Sequence, residues 1–300
     1  RRLEGEYILN ENDVRANRVF EDAVAYGGWP MDVHVPGGIR DLNSYGSRVY
    51  NFEGCYTIPY RCYVSRDVDN LMMAGRDIST SKMAFSSTRV MGTCAVGGQA
   101  VGTAAALAIR YGCTPKQVGE QHIRELQQEL MKNDCYLPGF VNEDEADMAR
   151  TARVSASSEQ DDGRAERVIN GVARNVNGQV NCWKSASLEE PQTLTLKLFE
   201  ESEVHQVRLT FDTDLSHEIQ PSMIKNVRDR QVKGLPRELV KDYRVSLLLD
   251  GNVVGTKEVR GNGQRLNVLD FDGVECDEVQ ITVESSHGCD YACIFEVRIY

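Results

Sequence analysis

The chain has 300 residues, 41% of them hydrophobic and 26% charged, and a formal net charge of −11. That length suits two domains of ordinary size, and the composition is the profile of a soluble globular protein. The acidic balance repels phosphate backbones, so nucleic acid is not an expected partner.

The opening, Arg1-Arg2-Leu3-Glu4-Gly5-Glu6-Tyr7, has no signal-peptide pattern and reads like the middle of a domain. Leu71-Met72-Met73-Ala74-Gly75 is a short apolar run closed by glycine, which predicts a buried strand. A loop from Arg76 to Ser87 follows, and a helix is expected from Thr88 to Tyr111 with Gly112 as its stop. Val90 to Ile109 is the longest uncharged run, but Gly, Ala, Thr and Gln99 make it too weakly hydrophobic for a membrane span. Its small residues Cys94, Gly98, Gly102 and Ala106 recur every fourth position, so something flat is expected to pack close against that stripe. Thr114-Pro115-Lys116-Gln117 opens a second helix with an N-cap, a first-turn proline and a capping box, and the helix ends near Asn133.

The composition shifts near residue 150. The acidic stretch Asn142-Glu143-Asp144-Glu145-Ala146-Asp147 is expected to lie in a linker over 141–150, between a first domain at 1–140 and a second at 151–300. Beyond it, apolar residues alternate with period two: Leu194, Leu196 and Leu198; Val204, Val207, Leu209 and Phe211; Tyr243, Val245 and Leu247; Val279, Ile281 and Val283; Ile294, Val297 and Ile299. Short strands with turns such as Asp250-Gly251 between them predict a β-sandwich with negligible helix. The connection from Asp212 to Lys241 is long, charged and irregular, which favours a functional or disordered loop. The fold class expected is therefore α+β, with strands and two helices first and an all-β jelly-roll sandwich after them.

Nine cysteines are present, and no pair has CxxC spacing. Cys289 and Cys293, four apart and near His287, make a poor zinc set. Buried or free thiols, with at most one local disulfide, fit the spacing better. The redox compartment stays open on this count.

A buried strand ending in glycine, then a loop, then a Gly-rich helix is an arrangement that can hold an anion or a dinucleotide, because N–H groups at a helix start are unsatisfied and carry partial positive charge. Arg76, Asp77, Ser87, Thr88 and Arg89 are expected around that start. An ordinary crossover with solvated charges would look similar.

Several ordered motifs give this segment more specificity. Tyr56-Thr57-Ile58-Pro59-Tyr60-Arg61, Asn70 to Arg76, Ser87-Thr88-Arg89-Val90-Met91 and Gly98 to Ala105 resemble the C-terminal flavin-contacting segments of a bacterial family of FAD-dependent oxidoreductases, and Asp22 to His34 resembles that family's central region. The resemblance covers roughly residues 1–140. It implies that Gly75, Arg76 and Asp77 lie along the ribityl and pyrophosphate of FAD. It also implies that the helix start at Arg89, Val90 and Met91 points N–H groups at the flavin's pyrimidine edge, with Ser87 and Thr88 among the cofactor-binding residues, and that Gly98 and Gly102 allow close packing there. His34 and Arg61 are the candidates for substrate contact or proton transfer, though a lone histidine is more often structural. Two departures stand out. Lys82 occupies a loop where relatives carry His, and no GxGxxG follows a strand. The chain is therefore expected to be the later portion of a flavoenzyme domain, partnered by a dinucleotide fold outside this sequence, and to bind FAD weakly or not at all by itself.

Val168-Ile169-Asn170-Gly171, Cys182-Trp183-Lys184-Ser185, Pro191 to Leu196 and the closing Phe295 to Tyr300 resemble galactose-binding-like domains of the discoidin or family 32 carbohydrate-module type. That implies a carbohydrate as the partner or substrate, and it leans toward a periplasmic or secreted setting. Such sandwiches often hold calcium. Asn170 and Glu296 occupy the matching positions here, with Asn170 in place of an Asp, and Trp183 reads as core. His217, Arg228 and Arg230 are the polar candidates in the long connection. The competing reading of the whole chain is a non-catalytic glycan-binding or protein-interaction module.

Overall fold

The computed structural model describes residues 3–41, 43, 45–217, 219 and 222–300. Two compact units divide the chain, Arg1–Val141 and Asn142–Tyr300. The fold class is α+β: the long helices lie in the first unit, and a large antiparallel sheet forms the second.

The first unit begins with α1 (Glu11–Arg15), which the Asn10 and Asp13 side chains close at its start in a capping box. β1 (Ala23–Gly27), β2 (Met31–His34), β3 (Ser47–Tyr50) and β4 (Tyr56–Pro59) form two antiparallel pairs, β1 with β4 and β2 with β3. α2 (Lys82–Thr88), α3 (Met91–Tyr111), α4 (Pro115–Gln121) and α5 (Ile123–Lys132) follow. The core gathers Leu9, Tyr56, Ile58, Tyr60, Tyr63, Leu107 and Leu126.

Three sequence expectations change here. Leu71–Gly75 is not a strand; it contributes one bridge, Met72 with Val64. The loop expected from Arg76 to Ser87 carries a helix, α2, and the helix expected from Thr88 begins three residues later, at Met91. Ser81 caps α2 by accepting from the Ala84 N–H at 3.2 Å, and Val90, at φ −75° and ψ 150°, takes an extended conformation that separates α2 from α3. The second expected helix breaks at His122, whose φ of −127° is not helical. The capping box at Thr114 and the left-handed Gly112, at φ 60°, stand where the sequence places them.

α3 buries Thr93, Gly97, Ala100, Ala104 and Leu107 and packs against β1 and α5. By length and composition alone α3 is long and apolar enough to cross a membrane, which corrects the expectation that this run is too weakly hydrophobic for a span. A Cβ on Gly97 would stand 2.7 Å from the Tyr63 ring, so glycine is needed at that crossing. The close approach falls on Gly97 rather than on the expected stripe. A Cβ on Gly98 or Gly102 meets nothing within 4 Å, and Gly102 and Ala106 are exposed.

In the second unit, β5 (Arg153–Ala156), β6 (Trp183–Lys184) and β7 (Gln192–Phe211) precede a five-residue helix, α6 (Lys225–Asp229), inside the long connection. β8 (Val240–Leu249), β9 (Asn252–Val259), β10 (Leu266–Ser286) and β11 (Cys293–Ile299) complete the sheet in the order β6-β11-β7-β10-β8-β9, with β5 on β7. The runs at 194–198 and 204–211 are the two halves of the single long strand β7. Its first half pairs with β5 and the end of β10, and its second half with β11 and the start of β10. Register shifts within β10 accompany that change of partners. A further shift between Ile294 and Glu296 accounts for the uneven apolar spacing of β11. Asp250 and Gly251 both have positive φ, 49° and 77°, as a tight β8–β9 hairpin requires. Trp183 is fully buried, and its Nε1–H donates to the Ser158 carbonyl at 2.9 Å.

Residues 142–147, expected within a linker, are held in the second unit. Asp147 Oδ1 accepts from the Ile299 N–H at 3.0 Å, and Tyr300 Oη donates to Asp144 Oδ2 at 2.8 Å.

Candidate flavin-facing site

α3 has 21 residues, so the peptide dipoles leave substantial positive charge at its N-terminus. Its N-cap, Val90, has no side-chain group that can satisfy the first N–H donors. Met91 there is 83% exposed, and a Cβ on Gly92 would meet nothing within 4 Å. The start of α3 is therefore open to an acceptor.

The neighbouring residues converge on Cys94, in the first turn of α3. Its Sγ donates to the Thr88 carbonyl at 3.5 Å. Burial pushes the Cys94 thiol up, Arg76 pulls it down and Asp77 raises it, which brings the loop after Gly75 beside this turn. Gly75 sits at φ 88°, a conformation that favours glycine, with open space where a Cβ would be. Arg76 lies 5.6 Å from the Phe85 ring centroid. Among the described residues, the buried Asp77 Oδ1 and Thr88 Oγ1 have no hydrogen-bond partner.

His34, at the end of β2, joins this group through Arg89. The Arg89 guanidinium donates to His34 Nε2 at 2.9 Å and to the carbonyl and Oδ2 of Asp32, both at 3.2 Å. Asp32 Oδ2 is also 3.5 Å from His34 Nε2. The two nitrogen contacts compete, because a guanidinium can only donate. The shorter one makes Nε2 an acceptor. Asp32, one alternation along β2 from His34, was not singled out in the sequence; the acid two residues before the histidine on one strand is the signal that would have found it. Ser87 is buried at the end of α2 and serves the fold, accepting from or donating to Tyr56 Oη at 2.7 Å and reaching the Trp29 carbonyl.

Arg61 has different partners. Its Nε and Nη2 meet Asp22 at 2.9 and 3.1 Å, a forked charged pair. With Asp22, Arg18, Tyr60, Lys116 and Glu120 it lines a cleft of about 720 Å³. None of the residues around Cys94 lines that cleft.

The two calcium candidates in the sandwich also have their own partners. Asn170 Nδ2 donates to Asn181 Oδ1 at 2.9 Å, and Glu296 accepts from Arg298 Nε at 2.9 Å. Among the described residues no group of three or more His, Cys, Asp or Glu side chains could hold a metal ion.

No curated protein matches this chain. Solved structures similar to it include the lectin domain of lectinolysin complexed with Lewis B antigen, at 18% identity and a TM-score of 0.40, over 51% of this chain and 95% of that one. A fucose-binding module of Streptococcus pneumoniae, SpX-3, aligns at 17% identity and a TM-score of 0.40, over 51% of this chain and 96% of that one. The family 32 carbohydrate-binding module from C. perfringens NanJ, solved with galactose, aligns at 18% identity and a TM-score of 0.36, over 51% of this chain and 97% of that one. Residues 1–130, which carry the α3 N-terminus and everything around Cys94, match the family model described as FAD dependent oxidoreductase, and this part of the chain is an FAD-oxidoreductase-like region.

Proposed function

We propose that the first unit forms the flavin-ring side of an FAD-dependent oxidoreductase site, with the second unit an appended carbohydrate-recognising sandwich. The observation that carries the first part is the uncapped, solvent-open N-terminus of α3 within the matched region, flanked by two buried polar atoms without partners. Buried polar groups are normally satisfied, so atoms such as Asp77 Oδ1 and Thr88 Oγ1 suit contact with a bound polar group. FAD supplies hydride or electron transfer when bound. In this reading the first N–H groups of α3 attract electron-rich atoms of the ring, and the Gly75–Asp77 loop contacts the ribityl and pyrophosphate. Arg89 is held by Asp32 and presents His34 for proton transfer. Arg61, locked to Asp22, belongs to a cleft of its own and serves substrate contact only if that cleft takes substrate.

Titration with FAD, followed by quenching of flavin fluorescence, tests this. Saturable, weak quenching is expected, and Gly92→Leu should remove it while leaving circular dichroism unchanged, since the added side chain enters open space in front of the helix. Equal quenching by Gly92→Leu and by the unaltered chain counts against the placement.

For the sandwich, support comes from the motifs around Asn170, Trp183 and Glu296. Calorimetry with galactose and fucose tests the partner class, and no heat with either sugar would leave the protein-interaction reading in its place.

A further inference from the structure

Two of the nine cysteines meet outside the main core of the sandwich. The β11–β6 ladder pairs Cys293 with Lys184 and Ile294 with Trp183. Alternation then divides the four residues. Trp183 and Ile294 point into the principal core. Cys293 and Lys184 face the other side, and Cys182, two residues before Lys184, shares their face. Cys182 and Cys293 are both fully buried there, in a small separate cluster with Phe295 that Val180 and Tyr291 cover. Cys182 is thus the diagonal neighbour of Cys293, and the two share one buried cluster.

The chemistry around them is uneven. Cys293 Sγ stands 3.6 Å from Asp212 Oδ2. The hydrogen bond with Cys182 and then burial push the Cys293 thiol up, while Lys184 pulls it down. Asp212 also raises the thiol, and burial raises the Asp212 carboxyl above its ordinary range. β6 is only two residues long and lies at the sheet edge, but opening this corner withdraws Trp183 from the principal core and breaks the backbone bonds of Lys184 to Gln160 and Gly163, so exchange there is expected to be slow.

We propose that Cys182 and Cys293 are a redox site: a dithiol that closes to a Cys182–Cys293 disulfide in the presence of a small-molecule disulfide such as oxidised glutathione. The Cys293 thiolate attacks one sulfur of the oxidant and releases one glutathione thiolate. Cys182, once deprotonated, attacks the mixed disulfide at the Cys293 sulfur and releases the second. Two protein thiols lose two electrons and two protons, and one glutathione disulfide becomes two glutathione thiols. The bridge would tie β6 to β11 and close the chain between them, 111 residues apart, into a loop, which restricts the unfolded state.

The whole chain, equilibrated with oxidised glutathione, acid-quenched and then alkylated under denaturing conditions, tests this. Two of the nine thiols should become unreactive, and a peptide linked through Cys182 and Cys293 should appear in the digest and vanish on reduction. In Cys182→Ser the linked peptide should be absent, and Cys293 should carry glutathione. Nine alkylated cysteines in the unaltered chain would overturn the proposal, as would a bridge between other cysteines with Cys182 and Cys293 both alkylated. Because mapping is done on the unaltered chain, a variant that fails to fold does not blunt the result.

Discussion

Two polar clusters in this chain are built to opposite rules. Around the C-terminus of the second unit, Asp147 spends both oxygens: Oδ1 accepts from the N–H groups of Ala149 and Ile299, and Oδ2 accepts from Asn142 Nδ2 at 2.7 Å. Around the start of α3 in the first unit, the buried Asp77 Oδ1, Thr88 Oγ1 and Asp32 Oδ1 accept from nothing among the described residues. A cluster that only holds a fold together gains by closing every bond, since an unmade buried bond costs about 1–3 kcal/mol. A cluster that leaves several open is tolerable where something else completes them. The difference separates a structural polar cluster from one suited to a ligand, although both are acid-rich.

The sharpest break of this contrast is Asp147→Ala. It orphans two backbone N–H groups and the Asn142 amide together, so a loss of about 3 kcal/mol is expected in urea unfolding. The same residue gives a pH signature. Burial raises its carboxyl above the ordinary 3.8, so the folded state holds that proton more tightly than the unfolded chain does. Its contribution is therefore fully present below pH 3.8 and is lost as pH rises through the raised folded value. Stability measured across that range should fall with pH less steeply in Asp147→Asn than in the unaltered chain. A steeper fall in the variant would reverse the sign assigned to this group.

Next in size is a pair of glycine substitutions on α3. Gly97→Ala places a methyl 2.7 Å from the Tyr63 ring and should cost about 1–3 kcal/mol. Gly98→Ala enters open space and should be neutral or slightly stabilising, because alanine favours helix. Thermal unfolding of the two variants measures this directly. Equal losses would mean that the Gly98 face is packed in solution, and the openness of the helix surface would need revision.

That pair also marks where the sequence stopped being legible. A four-residue repeat of small residues announced a tightly packed face, but α3 carries two small-residue rows, and only contact with Tyr63 selects the one through Gly97. Caps were readable because they are local: Thr114, Gln117 and Gly112 act within one turn. Sandwich strands were readable from alternation, except that 194–198 and 204–211 proved one strand, since the polar stretch between them looks like a turn but is an irregularity after which Ser202 and Glu203 resume the ladder to β10. The break at Val90 was not readable, because valine occurs in helices too and has no side-chain group that marks an N-cap. Of the site residues, Gly75, Arg76, Asp77, Thr88 and Arg89 fall around one turn of α3 or on β2's acid. Arg61 was separated from His34 by its bond to Asp22, a contact 39 residues away in sequence that no local pattern encodes.

The smallest expected effect on stability, and the most informative about the open cluster, is Arg89→Ala. The Arg89 and Asp32 side chains are each 24% exposed, so their pair is partly screened and its loss should cost about 1 kcal/mol or less. The functional consequence should be larger than the structural one. Arg89 is the donor that ties both Asp32 and His34, so removing it frees His34 from its only strong partner in this group, while the backbone donors of α3 remain. Flavin quenching should then persist with weaker affinity, whereas Gly92→Leu should abolish it. Arg89→Lys separates charge from geometry: it keeps the positive charge but cannot span Asp32 and His34 with a planar fork. If Arg89→Lys binds flavin as the unaltered chain does, charge near the helix start is what matters. If it behaves like Arg89→Ala, the orientation of His34 and Asp32 carries the effect. If all three bind FAD equally, the Asp32–His34–Arg89 group is a structural cluster after all, and its open oxygen is not a ligand site.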